Sequence, residues 1–347
     1  MSSDRGDPAL ETLMLPFATG ALAWPTDGGT LFLRARDGWP LRGIARDGLV
    51  CEQTFKPEAD ALVRAGRDVR DPDAVAAATF SLVLVLPPRQ REEARASLAR
   101  AVRACAPGGT VVACAPNDEG AKSVEGDLKR LAGLAGTLSK HHCRVAWSRI
   151  DPEAVDPALL DDWAALDAPR PILDGRFASR PGVFAWDRVD AASALLAAHL
   201  PVDLAGRAAD LGCGWGYLSV ELLQRCPGIA SLDLYEAEAR ALDLARRNLA
   251  DVRVPLAFHW HDVTAGLPAR YDVIVSNPPF HAQGRADRPD IGRAFIAAAA
   301  DALNPGGRLW LVANRHLPYE SVLDARFAEV RTVAQAQGFK VIVATKR

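Results

Sequence analysis

The sequence lacks the features that mark several common protein classes. Its six cysteines, Cys51, Cys105, Cys114, Cys143, Cys213 and Cys226, include no C-x-x-C pair and no Cys/His spacing that suits zinc. His141, His142 and Cys143 are adjacent, yet nothing nearby completes a ligand set. The expectation is free, buried thiols in a reducing compartment and no metal site. No apolar run approaches the roughly 18 residues that span a bilayer. The N-terminal stretch carries acids and lacks the apolar centre and cleavage site of a signal peptide. These absences point to a cytoplasmic protein with no membrane partner. Charge of one sign is missing too: 41 Lys and Arg against 43 Asp and Glu leave a net charge of −2. Neither half is basic, so contact with a polyanion must come from a local patch.

What is present is a globular chain of 347 residues, 49% hydrophobic and 24% charged, long enough for two domains. Leu82 to Leu86 reads as a buried strand that ends at Pro87-Pro88. A helix is expected over 91–105, then the turn Pro107-Gly108-Gly109, then a strand from Thr110 to Cys114. The same order recurs in Val273-Ile274-Val275, Pro278-Pro279, a helix over 290–303, Pro305-Gly306-Gly307 and a strand from Leu309 to Val312. A duplicated chain is the economical reading: an α/β protein of two tandem Rossmann-like domains, 1–165 and 166–347, joined by a proline-rich connector over 150–180. The copies differ where chemistry would matter. Leu86 stands where the second copy has Asn277, and no glycine-rich turn precedes the first copy. The N-terminal domain is therefore expected to be degenerate, with a scaffolding or docking role. Before residue 75 the pattern is weaker. Leu31-Phe32-Leu33 is a strand candidate, and Asp37-Gly38 and Asp47-Gly48 look like turns between strands.

Two constellations in the second half carry chemistry. In the first, the strand Ala208-Ala209-Asp210-Leu211 runs into Gly212-Cys213-Gly214-Trp215-Gly216 and a helix over 217–226. Such a turn lets a ligand approach the backbone at a helix N-terminus. The dinucleotide fingerprint would need glycine at 217, where Tyr217 stands. Asp210 would repel a pyrophosphate and favours a ligand with a cationic amine, such as S-adenosylmethionine (SAM). The next strand ends in Glu236, placed to accept both hydroxyls of a ribose, with Asp233 as the rival inside the strand. Asp262 follows the third strand, either beside an adenine amino group or as a solvated turn residue. His259 and His261 read as the polar face of that strand rather than as metal ligands.

In the second constellation, the strand 271–276 stops at Asn277-Pro278-Pro279-Phe280. Two prolines cannot donate to a ladder, so a stiff elbow forms at the strand's carboxyl end, where open α/β sheets hold ligands. An amide, carbonyl oxygens without a competing N–H, and an aromatic face suit a planar group that bears an amino substituent.

Together these motifs resemble class I SAM-dependent methyltransferases, and the likeness is closer than the superfamily. P-G-V-F-x-x-D-x-x-D at 181–190, S-N-P-P-F-H at 276–281, V-A-N-R-H-L-P-Y at 312–319 and F-K-V at 339–341 resemble the bacterial ribosomal RNA guanine-N2 methyltransferases of the RsmC and RlmG types. That family has tandem methyltransferase-like domains with a degenerate first copy. The resemblance implies transfer of methyl from SAM to a guanine N2 in ribosomal RNA, by a monomer acting on rRNA or a ribosomal subunit. The compact length favours 16S rRNA, while A-N-R-H-L is shared with the 23S type. Asn277, Pro278, Pro279 and Phe280 become the catalytic set; Phe184, Asp210, Gly212, Gly214, Gly216, Glu236 and Asp262 become the cofactor contacts. The family's usual acid at Glu236 is Asp, a change that keeps the ribose contact. Asn277 and the Pro278 carbonyl would accept the two N2 hydrogens while Phe280 stacks on the flipped base. His281 is a candidate proton relay or a surface histidine, and Arg285, Arg288 and Arg293 are phosphate contacts or solvated helix residues. The alternatives are N-methylation of a protein glutamine or an adenine, and a non-catalytic RNA-binding assembly factor.

Overall fold

The computed structural model describes residues 6–27, 29–43, 48–279 and 289–347. It divides into two compact units, Met1–Ala168 with Arg180–Gly182, and Pro169–Ser179 with Val183–Arg347.

The first unit holds strands β1 (Thr30–Leu33), β2 (Leu49–Glu52), β3 (Asp68–Arg70), β4 (Phe80–Val85), β5 (Cys105–Pro116), β6 (Gly136–Lys140) and β7 (Cys143–Arg149). Its helices are α1 (Pro8–Leu13), α2 (Leu15–Ala18), α3 (Lys56–Arg64), α4 (Arg91–Ala104), α5 (Ala121–Ala132) and α6 (Pro157–Ala165). The second unit opens with the short antiparallel pair β8 (Arg170–Ile172) and β9 (Phe177–Ser179). Strands β10 (Ala205–Leu211), β11 (Gly228–Glu236), β12 (Leu256–Trp260), β13 (Tyr271–Ser276), β14 (Leu303–Asn314), β15 (Glu329–Ala336) and β16 (Phe339–Thr345) follow. They alternate with α7 (Ala191–His199), α8 (Tyr217–Arg225), α9 (Ala239–Asn248), α10 (Pro289–Ala302) and α11 (Glu320–Arg326).

The two large sheets have the same plan. One runs β3-β2-β1-β4-β5-β7-β6 and the other β12-β11-β10-β13-β14-β16-β15. The first five strands of each are parallel neighbours, and the sixth, β7 or β16, is antiparallel. Parallel strands covered on both faces read as apolar runs, and the central strand β13 shows it. Val273, Ile274 and Val275 are 1%, 0% and 0% exposed, and each such side chain contributes about 1.5–3 kcal/mol on burial. The likeness reaches residue level in β5 and β14. Both are 12 residues long, both carry a P-G-G turn near their start, and both follow one pattern of burial.

Local expectations are met in part. Asp37-Gly38 does not turn an antiparallel hairpin, because β1 and β2 are parallel and a 3-10 turn at Trp39–Leu41 interrupts their connection. Asp47 lies outside the described residues. α7 begins at Ala191, because Asp190 caps it by accepting the Ser193 N–H at 2.9 Å. β11 ends in Glu236, as expected. All six cysteines are free and buried, and burial pushes the Cys51 thiol up to about 12. No described helix is long and apolar enough to cross a membrane.

Inside the second unit a polar chain runs from buried tyrosines to an exposed arginine. Tyr271 donates its hydroxyl to Asp233 at 2.7 Å, Tyr235 meets the Tyr271 hydroxyl at 2.6 Å, and Arg207 reaches Asp233 at 2.7 Å. Asp233 is therefore engaged inside the strand network by Tyr271 and Arg207. Tyr271→Phe leaves Tyr235 and Asp233 each one partner short; urea unfolding followed by fluorescence is expected to show a loss of about 1–3 kcal/mol.

Candidate active site

The site lies at the carboxyl ends of β10, β11 and β13. From β10 the chain crosses outward to β11 and β12 on one side, while β13 and β14 lie on the other. The crevice at such a switch point is where doubly wound sheets bind ligands. Here it is a cleft of about 440 Å3, open to solvent, lined among others by Phe184, Ser193, Asp210, Gly212, Gly214 and Asn277.

Glycine is needed on the β10 side for two different reasons. Gly216 has φ +92°, and a Cβ there would meet Leu249 at 2.8 Å and Ala245 at 3.3 Å. Gly214 has φ +55°, but a Cβ would meet nothing within 4 Å, so its bare face is open to an arriving ligand. The Gly214 N–H donates to Glu236 Oε2 at 2.8 Å, and Glu236 Oε1 accepts from the Glu238 N–H at 2.9 Å. Glu236 thus holds the glycine turn and keeps lone pairs free for further donors. Burial raises its carboxyl above the usual range.

Asp210 is 1% exposed. Its Oδ2 accepts from the Ser219 hydroxyl at 2.6 Å, while Oδ1 is buried without a partner. Burial pushes this carboxyl up to about 7, a shift opposed by the Ser219 bond and reinforced by the charge of Glu236. The lining contains Asp190 and Asp210 and neither Lys nor Arg. An unsatisfied buried acid in such a cleft asks for a cationic donor and rejects a phosphate. An amino-acid ammonium meets that demand, and the open face at Gly214 leaves room for the rest of such a molecule.

On the β13 side, Asn277 lies immediately beyond the strand, Pro278 is buried and Pro279 exposed. The Asn277 amide nitrogen donates to Asp190 Oδ2 at 3.0 Å and to Ser193 Oγ at 2.9 Å, and the amide oxygen has no hydrogen-bond partner among the described residues. Phe280, His281, Arg285 and Arg288 lie outside the described residues. Arg293 sits exposed on α10. Phe295 packs from the same helix: a Cβ at Gly212 would lie 3.4 Å from its ring and 4.0 Å from Pro279.

The structure thus gathers Asp210, the glycine turn, Glu236, Phe184 and Asn277 at one edge. Phe184 is 62% exposed at the cleft, and its carbonyl accepts from the Trp215 indole at 3.2 Å. Asp262 is outside the lining; its Oδ1 accepts from the Thr264 N–H and hydroxyl at 2.9 and 2.7 Å, as a turn residue does. His259 stacks on Tyr235 with centroids 4.4 Å apart, and His261 bonds the Gly266 carbonyl at 2.6 Å. Sequence reasoning missed Ser193 and gave Asp190 no task. The pattern D-x-x-S at a helix start was the available signal. It also missed Asn248, whose amide bonds the Trp215 and Ala178 carbonyls and so braces the glycine turn against β9.

Comparison with known proteins follows this geometry. Residues 174–343 match the methyltransferase small domain family. The chain is similar to the ribosomal RNA small subunit methyltransferase C of Shewanella amazonensis, 32% identical over 269 residues that cover 77% of this chain and 78% of that protein. Its counterpart in Escherichia coli O81 is 32% identical over 255 residues, 73% and 72% of the two chains. Among solved structures, the T. thermophilus 16S rRNA N2 G1207 methyltransferase (RsmC), in complex with AdoMet and guanosine, is 28% identical with a TM-score of 0.81 and covers 99% of this chain and 93% of that one.

A cation entering this cleft must meet Asp210 in its charged form, so binding releases a proton wherever the free carboxyl still holds one. Calorimetric titration with SAM is expected to show affinity rising about tenfold per pH unit on approach to pH 7 and levelling above it. Asp210→Asn should flatten that slope.

Proposed function

The chain belongs to the ribosomal RNA small subunit methyltransferase C family, and we propose that it transfers the SAM methyl group to the exocyclic N2 of one guanine in 16S rRNA. The carrying observation is the amide oxygen of Asn277, without a partner among the described residues, in a cleft whose other wall is Asp210 and the glycine turn, with Glu236 held to that turn through the Gly214 N–H. SAM supplies, when bound, a methyl group made electrophilic by its sulfonium. The protein's own residues do the rest. Asp210 accepts the ammonium, and Glu236, already holding Gly214, accepts the ribose hydroxyls.

Guanine N2 is a weak nucleophile because its lone pair is shared with the ring. The Asn277 oxygen and the Pro278 carbonyl accept its two hydrogens, draw the nitrogen toward tetrahedral geometry and free the lone pair for attack. No strong base is required, and the displaced proton leaves to water. Positioning provides most of the acceleration. The family's 16S relatives support the small subunit over the 23S alternative, and the G1207 specificity of the T. thermophilus neighbour makes the corresponding nucleotide the target to test first. We propose further that the chain acts as a monomer, in the cytoplasm where the rRNA substrate named for its small-subunit relatives is found.

The first domain, 1–165 in our assignment, is a degenerate copy that serves as scaffold or RNA-docking module, and 166–347 is catalytic. Register supports this. Leu33 pairs with Glu52 and Val85 as Leu211 pairs with Tyr235 and Ser276, so Arg34, Gln53 and Leu86 stand where Gly212, Glu236 and Asn277 stand. Arg34 adopts φ +54° and bonds Glu93 at 3.0 Å, Gln53 donates to the Ala35 carbonyl at 2.7 Å, and Leu86 is apolar. None of the three can do the work of its counterpart.

Two measurements test the proposal. Asn277→Ala is expected to lower methyl transfer to 30S subunits or 16S rRNA by about 10²–10³-fold with SAM affinity unchanged; turnover close to wild type would remove Asn277 from the mechanism. Calorimetry is expected to give one SAM per chain, and a second site would contradict a degenerate first domain.

A further inference from the structure

The geometry points to Asp190 as a positioning residue that fixes which way round the Asn277 amide sits. An asparagine amide presents oxygen and NH2 on nearly the same shape, and rotation by half a turn exchanges them. The exchange matters here, because an amine on the acceptor base needs the oxygen and would be opposed by the NH2. Something must hold the polarity.

Two groups from the first turn of α7 contact the amide nitrogen, Asp190 Oδ2 at 3.0 Å and Ser193 Oγ at 2.9 Å. They are not equivalent. A hydroxyl can donate or accept, so Ser193 would tolerate either orientation. A carboxylate oxygen only accepts, so a flipped amide would set oxygen against oxygen. Asp190 therefore selects the orientation in which NH2 faces α7 and the oxygen faces the cleft. Asp190 is itself held, since the same Oδ2 accepts the Ser193 N–H at 2.9 Å as the N-cap of α7. One atom thus caps a helix and aims an amide from a strand end 87 residues further along the chain.

The inference rests on the reading of Asn277 as the acceptor for the base amine, and substitution can separate its two parts. Glycine at an N-cap weakens a helix little, so Asp190→Gly keeps α7 while removing the oxygen that biases residue 277. The expected result is a kcat lower by about a hundred-fold, with SAM Kd, KM for 30S subunits and Tm little changed. Asp190→Asn is the conservative control: an amide oxygen in the place of Oδ2 still caps α7 and still accepts from the Asn277 NH2, so most of the activity should return. A wild-type kcat in Asp190→Gly, or a loss explained entirely by a fallen Tm or weakened SAM binding, would overturn the positioning role. Transfer to guanine N2 by the wild-type chain in the same assay keeps the two ideas apart: without it the reading of the site falls, and with it only the role of Asp190 is at stake.

Discussion

The catalytic edge depends on one register. Leu211 and Ser276 are opposite partners on adjacent parallel strands, so the next residues, Gly212 and Asn277, leave the sheet side by side. Adjacent strands lie about 4.8 Å apart, and the Ser276 hydroxyl locks this pair by donating to the Leu211 carbonyl at 2.7 Å. The glycine turn and the Asn277 amide, the two walls of the proposed site, are thereby brought side by side. Neither loop sets this separation. The ladder does, and the buried run Val273-Ile274-Val275 makes the ladder costly to slip, because parallel strands sealed on both faces tolerate no displacement of their apolar set.

The first unit shows how little of that frame depends on chemistry. Leu33 and Val85 reproduce the pairing of Leu211 and Ser276, and the Ala35 N–H bonds the Glu52 carbonyl as the Cys213 N–H bonds that of Tyr235. Gln53 even retains the local turn of Glu236, accepting the N–H two residues ahead at 2.9 Å. What differs is the charge and size of three side chains at strand ends. Strand order, helix placement and the burial of β5 and β14 answer to packing, whereas the residues beyond the last paired position are free to diverge.

That division explains what could be read from the sequence. β-branched runs, P-P stops and P-G-G turns gave the strands, the repeat and the two constellations, because each has a local signature of spacing or backbone restriction. Asp210 and Glu236 could be placed because they adjoin glycine or end a strand. Strand boundaries slipped, β5 and β14 beginning at Cys105 and Leu303 rather than at Thr110 and Leu309, since pairing partners distant in the chain decide where a ladder ends. The network of Arg207, Asp233, Tyr235 and Tyr271 was hidden for the same reason: its members lie on three strands, and no local pattern announces that their polar tips converge. Asp190 was hidden differently. Its capping pattern was visible, but its contact with Asn277 is made across the fold.

The least comfortable residue in the second unit is also the most informative. Asp210 sits at full depth with an oxygen that nothing in the chain satisfies, flanked by a second raised carboxyl. A buried polar atom without a partner costs about 1–3 kcal/mol, and an apolar residue at this position would spare the fold that penalty. The first unit does nearly that: by register its counterpart is Phe32, fully buried. Local rules are broken where a site requires it. The position that is apolar in one unit and has an unsatisfied carboxylate oxygen in the other is the one to which the proposed function assigns a cationic partner.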